Sequence, residues 1–218
     1  MDLYEVENAA LDRRGLVFEA MRGLAPWFGR TLLDLGCGTG FWLPRYADAA
    51  VVIGIEPDER LIPAARRRAA GIGVAVGSAE RIPFPDSSVD VVHARFAYFF
   101  PPGCAAGFDE VMRVLRPGGY LVVVDNDLRH GEFAELVVRS PWAAPQGSAA
   151  TTDAWWEEHG ASRTEVMSDW TFDSRDHLKA VLRMEIPPDI VEPWLLDHPD
   201  RRHISYGYVV FAARRPER

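Results

Sequence analysis

Strand-like and helix-like patterns alternate strictly along residues 31–124, and no other feature of the sequence constrains the fold as much. Apolar runs at 31–35, 51–55, 72–76, 89–94 and 120–124 read as strands. The run at 51–55 shows no polar alternation, as expected for a strand buried on both faces. Helical patterns at 41–47, 58–70 and 108–115 lie between them, with Asp58 as the expected N-cap of the second. A turn, Arg116-Pro117-Gly118-Gly119, introduces the fifth strand. Such alternation implies right-handed crossovers and a parallel sheet covered by helices on both sides. Ligands bind outside the carboxyl ends of such strands, so the residues just after strands one to five form the candidate site.

The flanks are read more coarsely. Residues 1–30 look helical, with Leu11, Phe18 and Met21 near helical spacing and Pro26 ending the run. Residues 140–152 carry no charge and are rich in Ala, Pro, Ser and Gly, the pattern of a loop. Beyond them the expected elements are a short helix at 152–159, a strand at 165–172, a helix at 174–184 and a final strand at 204–213.

Composition removes several function classes. The formal charge of −8, from 24 Lys+Arg against 32 Asp+Glu, leaves no cationic excess to displace counterions from a nucleic acid. Arg66, Arg67 and Arg68 read as a solvated helix face. No run reaches the roughly 18–20 apolar residues of a membrane span. Asp2, Glu5 and Glu7 precede any apolar run, unlike a signal peptide. Cys37 and Cys104 form no disulfide framework. A cytoplasmic protein is the expectation.

The strongest local signal is Asp34-Leu35-Gly36-Cys37-Gly38-Thr39-Gly40-Phe41, closing the first strand. Glycines in a strand-to-helix turn allow unusual backbone angles and close approach of a ligand. Two ligands compete, a dinucleotide and S-adenosylmethionine. The dinucleotide fingerprint wants glycines at 36, 38 and 41, whereas the third glycine is Gly40 and position 41 is Phe. A carboxylate at Asp34 would oppose a pyrophosphate and suit a sulfonium and an ammonium. At an effective dielectric of about 20, one charge pair at about 4 Å is worth about 4 kcal/mol before desolvation.

Three further features join this loop: the acidic Glu56 ending strand two, Gly77-Ser78-Ala79-Glu80 leading into Ile82-Pro83-Phe84, and Leu115-Arg116-Pro117-Gly118-Gly119. Together they resemble the class I S-adenosylmethionine-dependent methyltransferases, within the small-molecule group related to the ubiquinone and menaquinone C-methylating enzymes. The resemblance covers residues 31–125. It implies a Rossmann-like, doubly wound, mostly parallel seven-stranded sheet with an antiparallel last strand. It also implies one methyltransferase domain over 1–218: an N-terminal helical lid (1–30), a cofactor-binding core (31–127), and a substrate-side insertion with closing strands (128–218). The implied cofactor is S-adenosylmethionine, leaving as S-adenosylhomocysteine. Asp34 would face the methionine amino group. Gly36, Cys37, Gly38 and Gly40 would let the backbone pass beneath methionine and ribose. Glu56 would accept from both ribose hydroxyls, and Pro57 would line the adenine pocket. Ser78 stands where the family often has Asp, and would accept from the adenine amine without adding charge. The Ala79 amide would touch the ring, Glu80 would orient the loop, and His93 or Ala94 would offer a backbone carbonyl. An acid some 20 positions past the first glycine is also the ribose reader on general grounds.

The catalytic side chain is open, with His93, Arg95, Tyr98 and His130 as candidates. Arg95 reads equally as a carboxylate contact and as a surface ion pair. Tyr98-Phe99-Phe100 occupies the place where relatives often carry histidines. Asp125-Asn126 matches part of a metal-dependent pattern, but no acid follows strand four, so no metal is expected. Of seven tryptophans, Trp142, Trp155, Trp156, Trp170 and Trp194 follow strand five, where one or two would wall a substrate pocket. The reaction implied is in-line displacement on a small-molecule acceptor by a monomer or homodimer. Methylation of a protein or RNA, or a silent cofactor-binding module, are the alternatives.

Overall fold

The computed structural model describes residues 2–140 and 149–217. Its elements in order are α1 (Leu3–Ala10), α2 (Leu16–Leu24), β1 (Thr31–Leu35), a 3-10 turn (Leu43–Tyr46), β2 (Val51–Glu56), α3 (Ile62–Arg68), β3 (Gly73–Val76) and β4 (Val89–Arg95). There follow α4 (Ala105–Val114), β5 (Leu115–Asn126), α5 (Glu132–Val137), α6 (Ala149–Glu158), β6 (Ser162–Thr171), α7 (Arg175–Glu185), α8 (Pro188–Asp197) and β7 (His203–Arg214). The seven strands form one sheet in the order β3-β2-β1-β4-β5-β7-β6, with helices on both sides. Strands β1 to β5 pair in parallel, for example Asp34 with Gly54 and His93. β7 is antiparallel. Gly118 near the start of β5 donates to Arg215, while Asp127 just past its end donates to Gly207, both at 2.9 Å. The expected sheet is thus the observed one. Among the described residues no helix is long and apolar enough to cross a membrane.

Two compact units divide the chain. The first comprises Met21–Asp125, Thr151–Arg163 and Val210–Arg218. Its strands bury Leu32, Leu33, Ile55, Val91 and Val92, and Ile62 and Ala65 of α3, with Ala69 just past its end, cluster with Cys37, Leu43 and Val74. Trp156 stacks on Phe211 at 5.1 Å between ring centres. The second comprises Met1–Ala20, Asn126–Ala150 and Thr164–Val209. Its core is a run of stacked rings, Phe133 on Tyr206 at 4.3 Å, Trp170 on Tyr206 at 4.8 Å and Tyr206 on Tyr208 at 4.4 Å. Helix α1 packs on α7 there.

The structure corrects several local expectations. The helix at 41–47 shrinks to one 3-10 turn, Leu43–Tyr46, in which Pro44 lacks the N–H that a longer helix would use. Asp58 does not cap α3. Its carboxylate accepts from the Arg60 amide and guanidinium, and the helix starts at Ile62 with Pro63 in its first turn. The turn at 116–119 lies inside β5 as a bulge, because Val89 pairs with Leu115 and Val91 with Tyr120. Helix α8 was not legible from its two prolines and the Pro187 before it, yet Pro188 suits a helix start and Pro193 is tolerated within it. Ser174 does cap α7, accepting from the His177 amide at 3.1 Å. Trp142 and most of the loop at 140–152 lie outside the described residues.

Candidate functional site

β1 runs directly into the glycine loop, where Gly36, Gly38 and Gly40 all take positive φ, at +74°, +55° and +74°. At two of these positions space is as restrictive as conformation. A Cβ on Gly36 would lie 2.6 Å from the Ala97 Cβ, and one on Gly40 would lie 2.9 Å from the Ala65 Cα. The amides of Gly36 and Cys37 both donate to the Ile55 carbonyl, at 2.8 and 3.0 Å, which ties the loop to the end of β2. Arg68 braces its far side through the Thr39 hydroxyl at 2.9 Å, and Arg66 donates to the Val74 carbonyl at 2.9 Å. These two arginines hold backbone rather than forming only a solvated face.

Glu56 completes the cradle. Its side chain is buried at the end of β2, Oε2 accepting from the Gly38 amide at 2.8 Å and Oε1 from the Asp58 amide at 2.9 Å. Each oxygen has a second acceptor position. Backbone donors therefore fix the carboxylate's direction and leave it able to receive a pair of hydroxyls.

Asp34 differs from its reading as a bare acid. It is fully buried, and Arg95 grips it through Nη1–Oδ1 at 2.7 Å and Nη2–Oδ2 at 3.2 Å. The same Nη1 donates to the Tyr46 hydroxyl at 2.7 Å, and the guanidinium stands 4.6 Å from the centre of the Trp42 ring. The pair has no net charge, so charge at Asp34 alone does not separate the two ligand classes. The third glycine at 40 and Phe41 still do. Arg95 is likewise a buried ion-pair partner, not a surface one.

Beneath this pair, His93 is enclosed by Trp27 at 5.1 Å and Tyr46 at 5.3 Å. Burial, aided by the charge of Arg95, pushes its imidazole down to about 3, which keeps the ring neutral at physiological pH. Burial, with Asp34 and Glu56 nearby, pushes the Cys37 thiol up to about 12, so it stays protonated. Ala94 is buried between Leu35 and Val123. After β4, Phe96 and Tyr98 adopt left-handed backbone angles, φ +49° and +59°, a costly conformation that gathers at functional sites. The Tyr98 hydroxyl donates to Glu80 at 3.0 Å and accepts from the Gly107 amide at 3.1 Å. After β3, the Ser78 carbonyl accepts from Arg81 at 3.1 Å, Ala79 is buried and Pro57 is exposed.

In the second unit, Asn126 accepts from the Tyr206 hydroxyl. His130 is half-exposed and its Nδ1 lies 2.6 Å from the buried Asp127 Oδ2. Trp156 and Trp170 are core residues, at 1% exposure each, while Trp155 stacks on His159 and Trp194 on His198. The sequence reading missed Tyr46, Trp42 and Asp127. The first two come from a turn whose packing no local pattern encodes. The Asp-x-x-His spacing of Asp127 and His130 was the available signal for the third.

Residues 33–123 match the family model described as a methyltransferase domain. An uncharacterized methyltransferase of Mycobacterium tuberculosis is 37% identical over 121 residues, 54% of this chain and 49% of that protein. A demethylmenaquinone methyltransferase of Beutenbergia cavernae is 36% identical over 98 residues, 44% of this chain and 41% of that protein. The matched stretch thus spans about half the length of these curated relatives or less. The crystal structure of the YcgJ protein from Bacillus subtilis has a TM-score of 0.62 at 18% identity, covering 94% of this chain and 100% of that one, and so shares the fold. The glycine loop, the buried acid ending β2, the sheet order and the matches over residues 33–123 together support a relation to the class I S-adenosylmethionine-dependent methyltransferases of the ubiquinone and menaquinone group.

Proposed function

We propose that the chain transfers a methyl group from S-adenosylmethionine to a small-molecule acceptor, acting as one cytoplasmic methyltransferase domain. The observation that carries this reading is the buried Glu56 carboxylate, locked by the Gly38 and Asp58 amides with acceptor positions to spare. The residues fit the cofactor. Positive-φ glycines give a floor without side chains, Glu56 would take the ribose hydroxyls, and the Asp34–Arg95 pair offers opposite charges toward an amino-acid zwitterion. Ser78, Ala79, Glu80 and Pro57 would border the adenine, and the backbone at His93 and Ala94 would lie beside the methionine. When bound, the cofactor supplies a methyl group already activated by a sulfonium. The protein's task is then to align the acceptor near about 3 Å and exclude water. A small acceptor is favoured by the net charge of −8, which gives no general attraction to RNA.

The test is calorimetric titration of S-adenosylhomocysteine and of NADH, followed by transfer of labelled methyl to phenols, quinols, amines and bulk RNA. Saturable binding of the thioether with transfer to a small molecule is expected. NADH binding in its place, or transfer confined to RNA, would overturn the proposal.

A further inference from the structure

Two loops of the candidate site and the start of α4 meet on one short segment, Phe96-Ala97-Tyr98, which leaves β4. All of it lies in the first compact unit. Phe96 and Tyr98 hold φ of +49° and +59°, a region that bulky residues rarely adopt. The turn is closed by its own backbone, the Phe99 amide donating to the Ala97 carbonyl at 2.6 Å and the Phe100 amide to the Tyr98 carbonyl at 2.8 Å. Ala97 abuts the glycine loop, where its Cβ fills the space that a side chain on Gly36 would need.

Tyr98 meets the other two. Its hydroxyl donates to Glu80 in the loop after β3 at 3.0 Å and accepts from the Gly107 amide in the first turn of α4 at 3.1 Å. That amide is one of the donors that a helix start leaves without an intrahelical partner. Cys104, the N-cap residue of α4, makes no side-chain cap hydrogen bond among the described residues, so the tyrosine oxygen serves in its place. The ring lies so close that a Cβ on Gly107 would come within 2.1 Å of the Tyr98 Cε1. Further along the β3 loop α4 takes hold directly. Glu110 accepts from the Ile82 amide at 2.9 Å, and Arg113 donates to the Phe84 carbonyl at 3.0 Å and the Ile82 carbonyl at 3.2 Å. The loop after β3 is therefore fastened to α4 at both ends of residues 80–84, with Tyr98 as the link at Glu80.

We propose that Tyr98 is a positioning residue for base recognition: acting through Glu80, it holds the loop after β3 in the shape that receives the adenine ring. This rests on the methyltransferase reading above and deepens it by naming a determinant of base specificity that does not itself touch the base. A loop ordered in the free protein loses less freedom when a ring arrives. The Ser78 hydroxyl and Ala79 amide discriminate a base only while their directions are fixed by such supporting contacts. Cutting the link loosens that end of the loop and flattens the preference for adenine over hypoxanthine, which carries an oxygen in place of the amine that Ser78 would read. The glycine loop and Glu56 keep their own ties to β2 and are not affected.

Calorimetric titration of S-adenosylhomocysteine and S-inosylhomocysteine tests this. Wild type should prefer the adenosyl ligand. Tyr98→Phe and Glu80→Ala should each reduce that preference about 3–10-fold, the fold-change of one lost hydrogen bond, and the double variant should lose no more than either. Glu80→Ala leaves the Gly107 bond in place, so it separates the loop from the helix cap, and Glu80→Gln, which keeps an acceptor for the hydroxyl, should recover most of the loss. In the free protein the Arg81 amide, which closes the turn onto Ser78, should exchange its hydrogen several-fold faster in Tyr98→Phe. A wild type without preference, an unchanged preference in Tyr98→Phe, or an equal loss of affinity for both ligands overturns the proposal. Binding of neither ligand by wild type would strike the methyltransferase reading, whereas unchanged Arg81 exchange in Tyr98→Phe would strike the link itself whatever binds.

Discussion

The segment from β1 to β4 and the segment from β5 to β7 solve the same problem in opposite ways. Both must hold a carboxylate in one direction near the carboxyl edge of a sheet. In the first, backbone amides within a short stretch do it, Gly38 and Asp58 gripping Glu56. In the second, parts more than 70 residues apart must meet, since the Asp127 amide donates to the Gly207 carbonyl and the Glu132 carboxylate accepts from the Ser205 amide. Local devices leave contiguous motifs. Assembled ones leave single residues that look unremarkable until the strands are paired.

The largest expected effect breaks the first region at its ion pair. Arg95→Met leaves the buried Asp34 carboxylate unpaired and should destabilise the protein by about 3–5 kcal/mol. Denaturant unfolding checks it, and adding Asp34→Asn should return much of the loss. Equal stability of the single variant and wild type would show that the pair is not buried as described. Next comes the second region's brace. Gly207→Ala should cost about 1–3 kcal/mol because backbone, not a flexible side chain, occupies the new methyl's space. It should also disturb the NMR signals of His130. Unperturbed His130 resonances would mean that β7 does not brace the segment after β5.

A third effect sharpens the comparison through pH. Glu7 on α1 is pushed up to about 7 by burial and by Glu185 on α7. Its ordinary value, near 4.5, applies in the unfolded chain, so the folded form binds the proton more tightly. Stability is then full below about pH 4.5 and is lost as pH rises through 7. Glu7→Gln should remove this decline and raise stability at pH 8 by about 1–3 kcal/mol, the upper figure being the whole shift at about 1.4 kcal/mol per pKa unit. Thermal melts at pH 5 and pH 8 read it directly. A wild-type melting point that does not fall over that range would show that α1 does not bury Glu7.

The same contrast explains what the sequence disclosed. The parallel sheet was legible because buried strands are written as apolar runs, and the glycine cradle because positive φ and absent Cβ space leave only one residue type. Glu56 followed from its place at the end of β2. Arg95 and Asp34 were both legible as candidates, but not as partners, since 61 residues separate them. Helix α8 was hidden by prolines at positions that helices tolerate. Asp58 misled because its carboxylate finds Arg60 before it finds a helix amide. Nothing local marks Tyr46 or Trp42 as neighbours of Arg95.

The central claim is that Glu56, held by the glycine loop, reads an adenosyl ribose. Titration of S-adenosylhomocysteine into wild type and Glu56→Ala tests it most directly. The account predicts saturable binding by wild type and a loss of about 1.5–3 kcal/mol in the variant, the scale of hydrogen bonds to a charged group. Equal affinity in the two proteins, or binding of NADH where the thioether does not bind, would contradict it.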